Sequence, residues 1–145
     1  MPRPTHDNGS FWFDSLESLP EPEKPSSLPR AIDVAIIGGG FTGLWTAYYL
    51  KQRRPDLSIA IFEAVTVGYG ASGRNGGWCM GLAMGIEDLL AKPETQQVGI
   101  RVLRAMHETV DEVGRVCQAE NIDCHYQKGG TLTVATLPFR AKPMR

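Results

Sequence analysis

Gly38-Gly39-Gly40-Phe41-Thr42-Gly43, followed twenty residues beyond Gly43 by Glu63, has the residue types and spacing to hold a dinucleotide. Each part has a physical task. Gly38 permits a tight turn, Gly40 lacks a Cβ and lets backbone approach a pyrophosphate, and Gly43 lets a helix pack close to a strand. Free N–H groups at the helix start, near Phe41 and Thr42, would face the phosphates with the positive end of the macrodipole. Glu63 can accept from ribose hydroxyls, and its charge disfavours a 2′-phosphate. The plain alternative is a glycine turn with a chance acid.

The surrounding elements decide between these readings. Residues 31–37, Ala-Ile-Asp-Val-Ala-Ile-Ile, read as a parallel strand buried on both faces. Phe41 to Arg53 reads as a helix stopped by Pro55, with Leu44, Ala47, Tyr48 and Lys51 on one stripe. Ile59 to Phe62 is a second apolar strand closed by Glu63. The strand–turn–helix–strand context of the glycine motif is therefore met across residues 31–63. This motif accommodates either NAD or FAD, because both carry an ADP half.

A second glycine-dense stretch follows: Gly70-Ala71-Ser72-Gly73-Arg74-Asn75-Gly76-Gly77. Its residues could wrap a pyrophosphate, or it could be a solvated surface loop, and the residues alone leave both open. The strings Asp33 to Leu44 and Gly70 to Gly77 resemble the N-terminal signatures of the D-amino-acid oxidase/glycine oxidase superfamily of FAD-dependent oxidoreductases. The likeness is strongest to γ-glutamylputrescine oxidase-like members, extends to the early Phe-Trp-Phe-Asp and proline lead-in, and spans most of residues 10–136.

That resemblance implies an α/β, FAD-binding Rossmann-like fold with FAD as cofactor. It implies Gly38, Gly40, Phe41, Thr42 and Gly43 at the diphosphate and Glu63 at the ribose. Ser72, Arg74, Asn75, Gly76 and Gly77 would lie along the diphosphate–flavin stretch. It further implies oxidation of a small amine or amino acid, with hydride passing from the carbon beside nitrogen to flavin N5. The imine then hydrolyses, and oxygen reoxidises the flavin to give peroxide. Positioning residues for substrate would lie elsewhere, so the catalytic residues are unknown.

The organisation expected is a proline-rich arm at 1–30, an FAD-binding portion at 31–123, and a hairpin at 124–145 that begins a substrate domain. The arm carries an apolar Phe11-Trp12-Phe13 cluster, free to dock on a partner or on the domain. Residues 64–85 read as loop, and a helical pattern resumes near Ile86. A long helix from about Glu94 to Glu120 has the stripe Val98, Val102, Met106, Val110, Val113 and Cys117, with Arg104–Glu108 and Asp111–Arg115 as outer charge pairs. Residues 124–127 and 131–136 read as hairpin arms, with His125 and Tyr126 structural. Two parallel strands leave much of a doubly wound sheet missing, so the chain is expected to be an N-terminal fragment.

Composition narrows the classes. The chain has 145 residues, 42% hydrophobic and 21% charged, with a net charge of −1. That balance makes no electrostatic case for nucleic acid. Val34 to Leu50 is uncharged and holds a GxxxG, but its glycine-rich turn and short length oppose a membrane span. No signal peptide is apparent, and cytoplasm is the default expectation. Cys79, Cys117 and Cys124 are odd in number and lack CxxC spacing, so they read as buried or idle thiols, with no disulfide framework and no metal site. Two other functions compete with the amine oxidase: a non-catalytic nucleotide-binding remnant and an NAD-binding module. Oligomeric state is not readable.

Overall fold

The computed structural model describes residues 9–17, 30–130, 132 and 134. They belong to two compact units, residues 1–78 and 79–145.

In the first unit, α1 (Phe11–Asp14) precedes β1 (Val34–Ile37), α2 (Phe41–Arg53) and β2 (Ile59–Phe62), followed by a 3₁₀ turn at Ala71–Gly73. β1 and β2 pair in parallel, with Val34 opposite Ile59 and Ile37 opposite Phe62. Beyond the strands, Asp33 and Ser58 lock the same register: Ser58 N–H donates to Asp33 Oδ2 at 2.8 Å and Asp33 N–H to Ser58 Oγ at 3.0 Å. At the far end Gly38 N–H donates to Phe62 O at 2.8 Å.

β1 is not buried on both faces. Val34 and Ile36 are half-buried, whereas Ala35 and Ile37 are exposed. Among the described residues α2 covers one face: a Cβ on Gly43 would stand 3.2 Å from Ile36 Cγ2. The α2 stripe is shifted by the same contact. Gly43 is the buried position of this helix, and Leu44 remains 37% exposed. Lys51 is exposed, and its ammonium donates to the carbonyls of Pro55 and Leu57 beyond the helix end.

Within the arm, residues 9–17 and 30 are described. Phe11–Asp14 forms a helical turn capped by Ser10, whose Oγ accepts from Phe13 N–H.

In the second unit, α3 (Ile86–Ala91) leads into the 27-residue α4 (Pro93–Ala119), with proline at its first position. The two meet at Gly99, which is buried and where a Cβ would be 3.0 Å from Leu90 Cδ2. Ile86 and Val116 are the buried apolar side chains among the described residues. On the outer side of α4, Arg115 makes a two-pronged pair with Glu112, at i,i+3, where the spacing pointed to Asp111. Asp111 instead pairs with Lys128.

Residues 124–130 form no strand; they run back along α4. Tyr126 fixes them: its hydroxyl donates to Val110 O at 2.8 Å, and its ring lies over Gly114, where a Cβ would be 2.4 Å from Tyr126 Cε1. The remainder of the expected hairpin, 131–136, lies outside the described residues except for Leu132 and Val134. The cysteines are not buried: Cys79 and Cys124 are exposed and Cys117 is half-buried. Cys124 sits on the returning segment and not on the core stripe, which accounts for its exposure. No helix among the described residues is long and apolar enough to cross a membrane.

Candidate functional site

The turn between β1 and α2 is built by glycine. Gly38 has φ +100°, in the region that disfavours a side chain. A Cβ on Gly43 would lie 2.1 Å from Gly38 O, so only glycine lets α2 start this close to β1. Gly40 occupies the N-cap position of α2 in extended conformation and makes no side-chain cap. The first intrahelical bond runs from Leu44 N–H to Gly40 O at 3.0 Å. By helix geometry, the amides of Phe41, Thr42 and Gly43 therefore have no acceptor inside the helix.

Two loops close on this turn. Glu63, at the end of β2, accepts Gly39 N–H at Oε2 (2.7 Å) and Val65 N–H at Oε1 (3.1 Å). The Gly39 amide, then the Val65 amide, hold its carboxyl below the usual carboxylate range. Gly39 O accepts Gly68 N–H at 3.0 Å. Ser72, in the 3₁₀ turn, accepts Phe41 N–H at Oγ (2.9 Å), and the same oxygen would stand 3.0 Å from a Cβ on Gly40. The turn itself requires Gly73, where a Cβ would lie 2.1 Å from Gly68 O.

The result is an open cleft of about 340 Å³ at the C-terminal end of β1 and the start of α2. Of the residues expected at the site, Gly38, Gly40, Phe41, Thr42, Gly43 and Ser72 line it together. Glu63 braces the turn through Gly39. Arg74, Asn75, Gly76 and Gly77 do not line the cleft. They fold the second loop on itself: Arg74 Nε donates to Gly70 O, and Gly77 N–H to Asn75 Oδ1 at 2.7 Å.

Three lining residues escaped the sequence reading: Ile36, Ile37 and Thr46. Thr46 lies one turn beyond Thr42, to whose carbonyl its hydroxyl donates, so helical spacing from the motif was the available signal. The support of the second loop also escaped. Ser10, 2% exposed, hydrogen-bonds Gly73 O through its hydroxyl, and Trp12 Nε1 donates to Asn75 O at 2.8 Å. The Trp12 ring covers Gly77, where a Cβ would be 2.8 Å from Cζ2.

This arrangement fits an anionic diphosphate. The helix-start amides, glycine backbone without side chains and the Ser72 hydroxyl, which accepts the first of those amides, converge on one cleft at a strand end. The comparisons with known proteins agree with the geometry. Residues 33–144 match the FAD dependent oxidoreductase family, and the chain belongs to that family, whose cofactor is FAD. It is similar to the gamma-glutamylputrescine oxidoreductase of Escherichia coli, at 33% identity over 102 residues, covering 68% of this chain and 22% of that protein. It is also similar to a probable oxidoreductase, OrdL, of Haemophilus influenzae, at 30% identity over 136 residues, covering 93% of this chain and 30% of that one. The protoporphyrinogen oxidase of Saccharomyces cerevisiae matches at 31% over 102 residues, 66% of this chain and 17% of that protein. The chain thus spans between about a fifth and a third of the length of the first two relatives. No solved structure gives a significant match.

Proposed function

We propose that residues 31–123 hold FAD for an oxidoreductase that acts on the C–N bond of a small amine or amino acid. The observation that carries this reading is the cleft where the α2 amides, Gly40 and Ser72 converge. The gamma-glutamylputrescine oxidoreductase likeness supports the amine class. Residues 124–145 are proposed as the start of a substrate-binding domain.

In this reading the diphosphate lies against the amides of Phe41, Thr42 and Gly43. Ser72 gives up its bond from Phe41 N–H, or shares it, and turns its hydroxyl to a phosphate oxygen. Glu63 keeps Gly39 and accepts ribose hydroxyls with its remaining lone pairs, since an ionised carboxylate has about four. Arg74, Asn75, Gly76 and Gly77 shape the loop that continues toward the flavin. FAD, when bound, supplies the acceptor for the hydride that leaves the carbon beside the substrate nitrogen. Flavin uptake by the purified chain, followed by an amine panel read as peroxide release, tests the two halves of the proposal separately.

A further inference from the structure

The second unit carries a paired-thiol site that the cofactor chemistry does not use. Cys117 Sγ and Cys124 Sγ lie 3.4 Å apart. Their approach is built by the end of α4. Asn121 takes φ +54°, Asn121 N–H donates to Gln118 O at 3.3 Å, and Ile122 N–H donates to Cys117 O at 2.8 Å. These are the two bonds of a Schellman motif, with asparagine where glycine is usual. The motif reverses the chain, and the Tyr126–Val110 bond and the Lys128–Asp111 pair hold the returning segment in register. Both cysteines line an open cavity of about 470 Å³ together with Gln118, Ile122 and His125, and Cys124 is exposed.

We propose that Cys117 and Cys124 form a peroxide-sensitive dithiol that closes to an intramolecular disulfide. The Cys124 sulfur gives up its proton and attacks one oxygen of hydrogen peroxide. The O–O bond breaks, Cys124 becomes a sulfenic acid, and the departing hydroxide takes a proton to become water. The Cys117 sulfur then attacks the Cys124 sulfur. The S–O bond breaks, and the hydroxyl leaves as water with the Cys117 proton. Two thiols and one peroxide give one disulfide and two waters: the sulfurs are oxidised and the peroxide is reduced. The order of attack follows exposure. Cys124 is exposed, whereas Cys117 is half-buried, and burial, then the hydrogen bond with Cys124, push the Cys117 thiol up.

The test uses the full chain with hydrogen peroxide added from outside, so its result does not depend on any amine oxidation. After exposure, the protein is denatured, alkylated and cleaved with trypsin, which leaves both cysteines in the single peptide Val116–Lys128. The expected product is that peptide lighter by two hydrogens and unalkylated, restored to two alkylated cysteines by a dithiol reductant, with Cys79 alkylated throughout. A Cys117→Ser chain is expected to accumulate a dimedone adduct at Cys124 several-fold above the unaltered chain. A doubly alkylated peptide after peroxide, a link through Cys79 or between two chains, or equal dimedone labelling in both proteins overturns the proposal.

Discussion

Glu63 Oε2 lies 2.7 Å from Gly39 N, a bond that ties the end of β2 to the middle of the glycine turn across 24 residues. An acid at this position reads from the sequence as a ribose ligand. Its observed partners also make it the brace that shapes the phosphate-facing turn. The pH dependence follows. The carboxyl sits below its ordinary value in the folded chain, so its contribution is fully present above that value and is lost as pH falls through the lower folded one. Because Glu63 is exposed, the contribution is at most about 1 kcal/mol. Glu63→Gln should flatten the acid limb of urea-unfolding stability, and an unchanged acid limb would remove the brace from the account.

Gly43→Ala sets two effects against each other. Alanine favours a helix interior by about 1 kcal/mol over glycine. Its Cβ would meet Gly38 O at 2.1 Å and Ile36 Cγ2 at 3.2 Å, and crowding of this kind costs about 1–3 kcal/mol, more where backbone must move. The clash should win, with a net loss of about 2 kcal/mol in urea denaturation and weaker flavin uptake.

Trp12→Phe keeps an aromatic ring and removes the donor to Asn75 O. Hydrogen exchange should quicken at Asn75 to Gly77 and stay unchanged in α2. Since one neutral hydrogen bond is worth about 1 kcal/mol, the expected increase is about five-fold. Equal exchange in both proteins would mean that α1 does not order the second loop.

Asn121→Gly relieves a side chain held at φ +54° at the end of α4. A stabilisation of up to about 1 kcal/mol is expected, measured as a higher urea midpoint. A lower midpoint would show that the asparagine side chain supports the motif in a way the backbone bonds do not.

The sequence made α2, β2 and α4 legible, because each is set by local pattern: Pro55 after α2, the apolar run Ile59 to Phe62, and the four-residue steps from Val98. The glycine turn was legible for the same reason, since its steric demands are local. What the sequence could not display depends on contacts between distant residues. Ser10 and Trp12 reach Gly73 and Asn75 across 63 residues. The half-exposed pattern of β1 depends on how many helices cover its sheet, not on its own composition. The Cys117–Cys124 approach depends on a chain reversal at an asparagine in left-handed conformation, for which the spacing of the cysteines carries no signal.

Ser72 is where the two glycine-rich segments meet, so it tests the cofactor reading most directly. Titrating the chain with FAD, followed by flavin fluorescence and by competition with NAD, should give saturable binding that NAD does not displace. Ser72→Ala should weaken that binding by about five-fold, the worth of one hydrogen bond. A chain that takes up no FAD, or that binds NAD in its stead, would contradict the account.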